Sequence, residues 1–133
     1  MSVRLFVYGT LRFGGSNNWR LDNDEYIGCA QTEERFYMVC QPSRSYPFCA
    51  RESMIVDSMP TVIQGEVYEV SPTTLAALDT LEGHPTRYTR QPVRLMGGTL
   101  AQMYVLENPD IIAEIRSGGR FVAVTSGDWL NQG

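Results

Sequence analysis

The stretch VIQGEVYEVSPTTLAALDTLE, residues 62–82, passes from a strand pattern into a helix pattern. Its first nine residues form a strand candidate, and Gly65 within them predicts a bulge or a bend in a curved sheet. A helix then begins at Ser71-Pro72, because serine is a favoured N-cap and proline is tolerated at the first helical position. We expect this helix to end at Gly83 or at the His84-Pro85 pair.

The rest of the chain predicts more strands than helices. The apolar run 4–8 is typical of a strand buried on both faces. Gly97-Gly98 is a hairpin signal, and Asn108-Pro109 opens a second, shorter helix that runs to about Arg116. Further expectations are strands at 26–31, 35–40, 87–96 and 99–106, a loop at 12–19 and an irregular excursion at 41–60.

Because the strands outnumber the helices and do not alternate regularly with them, the pattern favours an α+β domain with a mixed or mainly antiparallel sheet. Gly65 and the long apolar first strand favour strong curvature, and hence a small barrel-like sheet with two or more packed helices. The length of 133 residues fits one domain, residues 1–133, with a single sizeable core.

The composition excludes several kinds of chemistry. All 11 basic residues are arginine, against 15 acidic residues, so the formal net charge is −4. Without lysine there is no Schiff-base enzyme and no glycine-lysine phosphate loop. One histidine and three scattered cysteines argue against a metal site. We expect a cytoplasmic monomer or small homo-oligomer that binds a small molecule, and neither nucleic acid nor membrane.

Glu82 is the most anomalous residue of the chain. On the predicted helix it follows Leu78 by four residues and Leu75 by seven, which places it on the apolar stripe. It also lies in the last turn, where the helix dipole disfavours negative charge. Both effects raise a carboxyl pKa and suit an acid/base group that works near neutral pH. The alternative is a glutamate at the helix end that points into solvent.

Tyr8-Gly9-Thr10-Leu11, at the end of the first strand, is the second candidate. A turn here can expose backbone N–H groups that hold a carboxylate or a developing oxyanion, although a plain strand-to-turn junction is the simpler interpretation. The other candidates are weaker: His84 as the base for a thiol or hydroxyl, Glu66 as a second carboxylate, Arg90 as a carboxylate ligand or a surface residue, and Asp79, expected to face water.

Three motifs together resemble the gamma-glutamylcyclotransferase-like superfamily. FVYGTLR, residues 6–12, resembles its opening signature, and GEVYEV, residues 65–70, with LDTLE, residues 78–82, resembles its middle. EGHPTRYTR, residues 82–90, is similar to the E-x-x-P-x-x-Y-x-R pattern of its gamma-glutamylamine cyclotransferase branch. Their order, more than any single motif, carries the resemblance.

Two more stretches, GSNNW at 15–19 and SGDWL at 126–130, look more like small bacterial members of uncertain activity. The pair Gly83-His84 departs from the residues common in the amine-specific branch, and the excursion at 41–60 aligns with none of the motifs that carry the resemblance. The resemblance therefore leaves the leaving amine open.

The resemblance implies a small β-barrel with helices packed around it and a cavity for a γ-glutamyl group. It places the family's catalytic carboxylate on Glu82. The substrate-binding residues that it implies are Tyr8, Gly9, Thr10, Leu11 and Tyr88. The implied reaction cyclises the glutamyl group to 5-oxoproline, releases the amine, and needs no metal or cofactor.

Two other functions stay open at this point. A non-catalytic module could use the same cavity to bind a small carboxylate or amide, because a fold alone does not establish activity. A cysteine amidohydrolase with His84 as its base predicts inactivation by thiol alkylation.

Overall fold

The computed structural model describes residues 2–41, 46–55, 58–118 and 120–129. Within these ranges the strands are β1 (Val3–Val7), β2 (Glu25–Cys40), β3 (Pro47–Ala50), β4 (Thr61–Val70), β5 (Tyr88–Arg94), β6 (Leu100–Leu106) and β7 (Val122–Ala123). The helices are α1 (Pro72–Glu82) and α2 (Pro109–Gly118), with a short 3-10 helix at Asn18–Leu21. Neither α1 nor α2 is long and apolar enough to span a membrane.

The strands form one mixed sheet in the order β3-β2-β4-β1-β6-β5, with β7 added on β2. β1 and β6 are parallel, and the other neighbouring pairs are antiparallel. The predicted α+β class with a mixed sheet and two helices is therefore confirmed. In the described part of the chain, the curved sheet meets itself at a single antiparallel bridge between Thr32 and Leu95, so it is barrel-like without a closing ladder.

Gly65 allows β1 and β4 to pack closely. A Cβ atom at this position would lie 2.2 Å from the carbonyl oxygen of Val7 and 2.8 Å from the Phe6 ring. A side chain of any size would therefore push β1 away from β4. The close approach of the two strands explains why this position, predicted to bend the sheet, is a glycine.

The core has two parts, one on each face of the sheet. Leu5 and Val7 of β1 pack under the helices with Leu78 and Ile112, while Phe6 points into the other cluster. All three β1 residues are almost fully buried, as expected for a strand covered on both faces. This burial fixes the end of β1, and the residues that follow it, deep within the fold.

The structure corrects two expectations and adds one short strand. Two separate strands were predicted at 26–31 and 35–40, but β2 is one strand of 16 residues that bends at two register shifts. The excursion at 41–60 is not wholly irregular, because β3 pairs with β2 and is buried at all four positions. β7 was not predicted either. The expectations on 42–45, 56–57, 119 and 130 lie outside the described residues.

Candidate active site

Glu82 is the last residue of α1, and the end of that helix is held firmly. Gly83 stops the helix in a left-handed conformation with φ 69°. One turn earlier, Asp79 accepts hydrogen bonds from Nε and Nη2 of Arg90 at 2.9 and 3.0 Å, and from the hydroxyl of Tyr104 at 2.6 Å. The last turn of α1 is therefore clamped to β5 and β6. Asp79 was expected to face water, and that expectation was wrong.

A cavity of about 230 Å³, called here the Glu82 cavity, opens beside this helix end. Its wall comes from the end of β1, the loop after it, the start of β3, the end of α1 and strands β5 and β6. The lining residues are Val7, Tyr8, Gly9, Thr10, Leu11, Ser16, Asn17, Tyr46, Pro47, Leu81, Glu82, Arg87, Tyr88 and Tyr104. Every residue predicted for the site is among them.

Burial raises the pKa of Glu82 to about 7, and the positive charge of Arg87 opposes that rise. Within the described ranges, the Glu82 carboxyl group has no hydrogen bond and no ion pair, so the charge of Arg87 offsets the loss of water only in part. The carboxyl group is thus able to gain and lose a proton near neutral pH, as an acid/base group must.

Three tyrosines that line the same cavity direct their hydroxyl groups elsewhere. The hydroxyl of Tyr8 donates to the backbone oxygen of Tyr104 at 2.8 Å, and that of Tyr88 donates to the backbone oxygen of Pro47 at 3.2 Å. The hydroxyl of Tyr104 donates to Asp79. Burial raises the pKa values of Tyr8 and Tyr88 well above the ordinary value, so both stay neutral. All three tyrosines form part of the cavity wall.

The loop after β1 lines the cavity with Gly9, Thr10 and Leu11. Among the described residues, no acceptor takes a hydrogen bond from the N–H of Gly9, Thr10 or Leu11. The loop is shaped by Asn17, whose backbone N–H and side-chain amide donate to the carbonyl and hydroxyl of Thr10 at 2.9 and 3.0 Å. Such N–H groups suit a ligand carboxylate or an oxyanion.

The close approach of Pro47 leaves no room for a side chain at Gly9. A Cβ atom there would lie 2.9 Å from Cδ of Pro47, the first residue of β3. The glycine of the predicted anion-binding turn therefore also allows β3 to approach the loop.

Arg12 anchors the far end of the loop. Its Nε donates to Glu66 at 3.0 Å and its Nη1 donates to Asp128 at 2.7 Å. Glu66 is only 5% exposed and also accepts the backbone N–H of Phe13 at 2.7 Å. The second carboxylate candidate is thus committed to holding the loop and does not line the cavity.

The cysteine–histidine alternative finds no support in the described residues. Nδ1 of His84 accepts the backbone N–H of Arg90 at 3.0 Å, which fixes the turn after α1. Burial raises the pKa values of the Cys40 and Cys49 thiols, so neither is activated as a thiolate. No group of three or more potential metal ligands occurs in the described part of the chain.

Several lining residues were not found from the sequence. Tyr104 lies in a strand pattern that predicts only burial, and Arg87 is one of many arginines. Tyr46 and Pro47 belong to the excursion at 41–60, which contains none of the motifs that carried the resemblance. The E-x-x-P-x-x-Y-x-R motif does contain Arg87 at an unspecified position, and this was the one signal available for it.

Comparison with known proteins finds a matching family and several similar sequences. Residues 5–131 match the family described as gamma-glutamyl cyclotransferase, AIG2-like. A Vibrio cholerae protein provisionally named as a gamma-glutamylcyclotransferase is 30% identical over 132 residues, which cover 99% of each chain. Gamma-glutamylaminecyclotransferase A of Danio rerio is 33% identical over 71% of this chain.

The similarity also extends to solved structures. An AIG2-like protein of Mus musculus superposes with a TM-score of 0.66 at 25% identity, covering 82% of this chain and 81% of that one. Some relatives are longer than this chain: the match spans 59% of a Drosophila melanogaster relative and 60% of the Danio rerio protein.

Proposed function

This chain belongs to the gamma-glutamyl cyclotransferase, AIG2-like family, and we propose that it cyclises the glutamyl group of a γ-glutamyl-amine or γ-glutamyl-amino acid. The products are 5-oxoproline and the free amine. The observation that carries the proposal is that Glu82, a carboxyl group with a pKa of about 7 and no hydrogen bond in the described part of the chain, lines one cavity with Gly9, Thr10 and Leu11.

In the first step Glu82, as the carboxylate, takes a proton from the α-amino group of the substrate. The α-amino group reacts as the neutral amine: its lone pair attacks the substrate's own γ-carbonyl carbon as that proton leaves, and the electrons of the carbonyl double bond move to oxygen. The ring nitrogen keeps one hydrogen, as in 5-oxoproline. The cavity holds the glutamyl chain bent, and well-oriented intramolecular groups reach effective molarities of ~10⁵–10⁸ M. The N–H groups of Gly9, Thr10 and Leu11 are suited to stabilise the oxyanion.

In the second step the oxyanion re-forms the carbonyl group and the bond from its carbon to the leaving nitrogen breaks. Glu82, now protonated, donates its proton to that nitrogen, so the amine leaves as a neutral molecule and Glu82 returns to its starting state. A pKa near 7 suits both transfers, because the group neither holds nor releases the proton too strongly. All the groups that this reaction uses come from the chain and the substrate.

The test is to incubate the protein with γ-glutamyl-amines and γ-glutamyl-amino acids and to measure 5-oxoproline. We expect Glu82→Gln to lower kcat at least ~100-fold, the typical contribution of a positioned acid/base group. Glu107→Gln removes an exposed carboxylate that does not line the cavity, and this variant should keep full activity. Full turnover in the Glu82→Gln variant would contradict the proposed mechanism. Binding without turnover across the panel would instead favour a binding module.

A further inference from the structure

A second cavity of about 440 Å³ lies between α2 and the start of β3, and is called here the α2 groove. Its lining residues are Gln41, Tyr46, Phe48, Arg87, Ile111, Glu114, Ile115, Gly118, Arg120 and Phe121. Tyr46 and Arg87 also line the Glu82 cavity, so the two cavities meet at these side chains. The mechanism above assigns no role to this space.

Aromatic rings line the region where the two cavities adjoin. The ring of Phe48, on the groove side, stacks on that of Tyr88, on the Glu82 side, with 6.2 Å between centroids and 11° between planes. The edges of Tyr46 and Phe121 pack against Phe48 at 5.4 and 5.9 Å. With Ile111 and Ile115 opposite, these rings give the groove an apolar floor that suits a large apolar side chain.

Arg87 carries a positive charge where the two cavities adjoin. The guanidinium group of Arg87 lies 5.8 Å from the ring centroids of both Tyr46 and Tyr88. In the described part of the chain, neither Arg87 nor Arg120 forms an ion pair with a carboxylate. Arg87 is therefore available to an anionic group that reaches the junction from either side.

We propose that the α2 groove holds the leaving group and selects γ-glutamyl conjugates of α-amino acids with large apolar side chains. This inference rests on the proposed cyclotransferase function. The leaving nitrogen must lie at Glu82 to receive its proton, and in an α-amino acid the carbon next to that nitrogen carries both a carboxylate and a side chain. At the junction, the carboxylate pairs with Arg87 while the side chain enters the groove beside Phe48.

The test of the charged contact compares γ-glutamyl-phenylalanine with γ-glutamyl-phenethylamine, which differ only in the α-carboxylate. We expect kcat/KM to be at least ~10-fold higher for the first, the ratio expected of a charge-assisted hydrogen bond. Arg87→Ala should bring that ratio close to one, while Arg94→Ala, an exposed arginine of β5 that lines neither cavity, should leave it unchanged. Because both substrates undergo the same chemistry, any effect of Arg87 on Glu82 cancels in the ratio.

The test of the apolar floor uses Ile111→Trp, which fills the groove from α2 without touching the Glu82 cavity. We expect it to lower kcat/KM for γ-glutamyl-phenylalanine at least ~10-fold and to spare γ-glutamyl-glycine, since the loss of a filled apolar pocket is worth factors of this size. Equal turnover of the carboxylate and amine substrates, or equal loss for phenylalanine and glycine, would overturn the groove assignment while the cyclotransferase function stands. No 5-oxoproline from any substrate would overturn both.

Discussion

At the scale of single residues, the site depends on how the neighbours of Glu82 use their polar groups. Tyr8 and Tyr88 donate to backbone oxygens, and Tyr104 donates to Asp79. A hydroxyl group that donated to Glu82 would stabilise the carboxylate and lower its pKa. Because these hydroxyls bond elsewhere, burial sets the protonation of Glu82, and Arg87 provides the opposing charge.

The first prediction concerns the pH dependence of the rate. Since Glu82 must be ionised to take the first proton, kcat/KM should rise with pH through an apparent pKa of about 7. Arg87→Ala removes the charge that lowers this pKa, and the rising limb should move to higher pH. Steady-state rates from pH 5 to 9 on γ-glutamyl-phenethylamine would measure both. A limb that lies near the ordinary carboxyl value of 4.5, or fails to move in Arg87→Ala, would contradict the assignment.

The second prediction concerns stability and needs no substrate. Between the ordinary pKa of 4.5 and the folded value of about 7, the native protein holds a proton on Glu82 that the unfolded chain has released. Rising pH therefore favours unfolding across this window. Glu82→Gln lacks this titration and should be more stable than the native protein at pH 8, by as much as ~3 kcal/mol. Below pH 4.5 this contribution to the difference disappears.

Urea unfolding at pH 4.5, 6 and 8 checks the second prediction. Other titrating groups are common to both proteins, so the difference between their free energies of unfolding isolates Glu82. A difference that does not change with pH would show that Glu82 titrates as it does in water.

At the scale of elements, the end of α1 is placed by its contacts with β5 and β6. Asp79 sits one turn before Glu82 and binds Arg90 through two nitrogen atoms while accepting from Tyr104. The Arg90 charge and the hydrogen bonds keep the pKa of Asp79 below its ordinary value. Asp79 thus fixes the last turn of α1, which ends at Glu82, and does not itself line the Glu82 cavity.

The third prediction is that Asp79→Asn lowers kcat by roughly 10-fold with little change in KM, since small displacements of a catalytic group cost factors of this order or more. The matched control is Asp110→Asn, an exposed aspartate in the first turn of α2. Both variants should stay folded by circular dichroism. Equal kinetics in the two variants would mean that the clamp has no part in placing Glu82.

The sequence was informative for elements whose signals are local. The cap at Ser71, the left-handed Gly83 and the Gly97-Gly98 turn each act within a few residues, and α1 and the β5–β6 hairpin follow from them. β3 has no such signal: its four residues are buried by pairing with β2. β7 has two residues, and it too forms by pairing with β2.

The same distinction explains the site. Glu82 could be found because a carboxylate on the apolar stripe of its own helix is a local signal. The turn from Tyr8 to Leu11 could be found because it directly follows an apolar strand. Arg87 and Tyr104 line the Glu82 cavity only because β3, β5 and β6 pack around it in the folded protein. The α2 groove is a product of tertiary packing, and no pattern along the chain predicts it.

At the scale of the whole molecule, residues far apart in the chain hold the loop after β1. Arg12 bridges Glu66 of β4 and Asp128, which lies 116 residues later. Gly127 docks the segment that carries Asp128, because its carbonyl accepts the backbone N–H of Gln64 at 2.8 Å. Gly127 has a φ of 70°, and a Cβ atom there would lie 2.0 Å from the carbonyl oxygen of Val62. Only glycine fits this contact without moving the segment.

The fourth prediction is that Gly127→Ala impairs the active site from outside the cavity. Gly97 provides the control, since it also has a positive φ, 95°, but nothing lies within 4 Å of a Cβ atom there. Gly97→Ala should cost only the backbone term of ~1–2 kcal/mol and leave kcat/KM unchanged. Gly127→Ala adds the clash with β4, so its loss in urea unfolding should be larger by about 2 kcal/mol or more.

Because the clash displaces Asp128 from Arg12, Gly127→Ala should also lower kcat/KM on γ-glutamyl-phenethylamine. Asp128→Asn separates the two causes, since it keeps the docked backbone and removes only the charge on Arg12. If the ion pair orders the loop, Asp128→Asn should lower kcat/KM in the same direction with a smaller loss of stability. Full activity in both variants would show that Glu66 alone holds Arg12, and that the distant segment stabilises the fold without ordering the loop after β1.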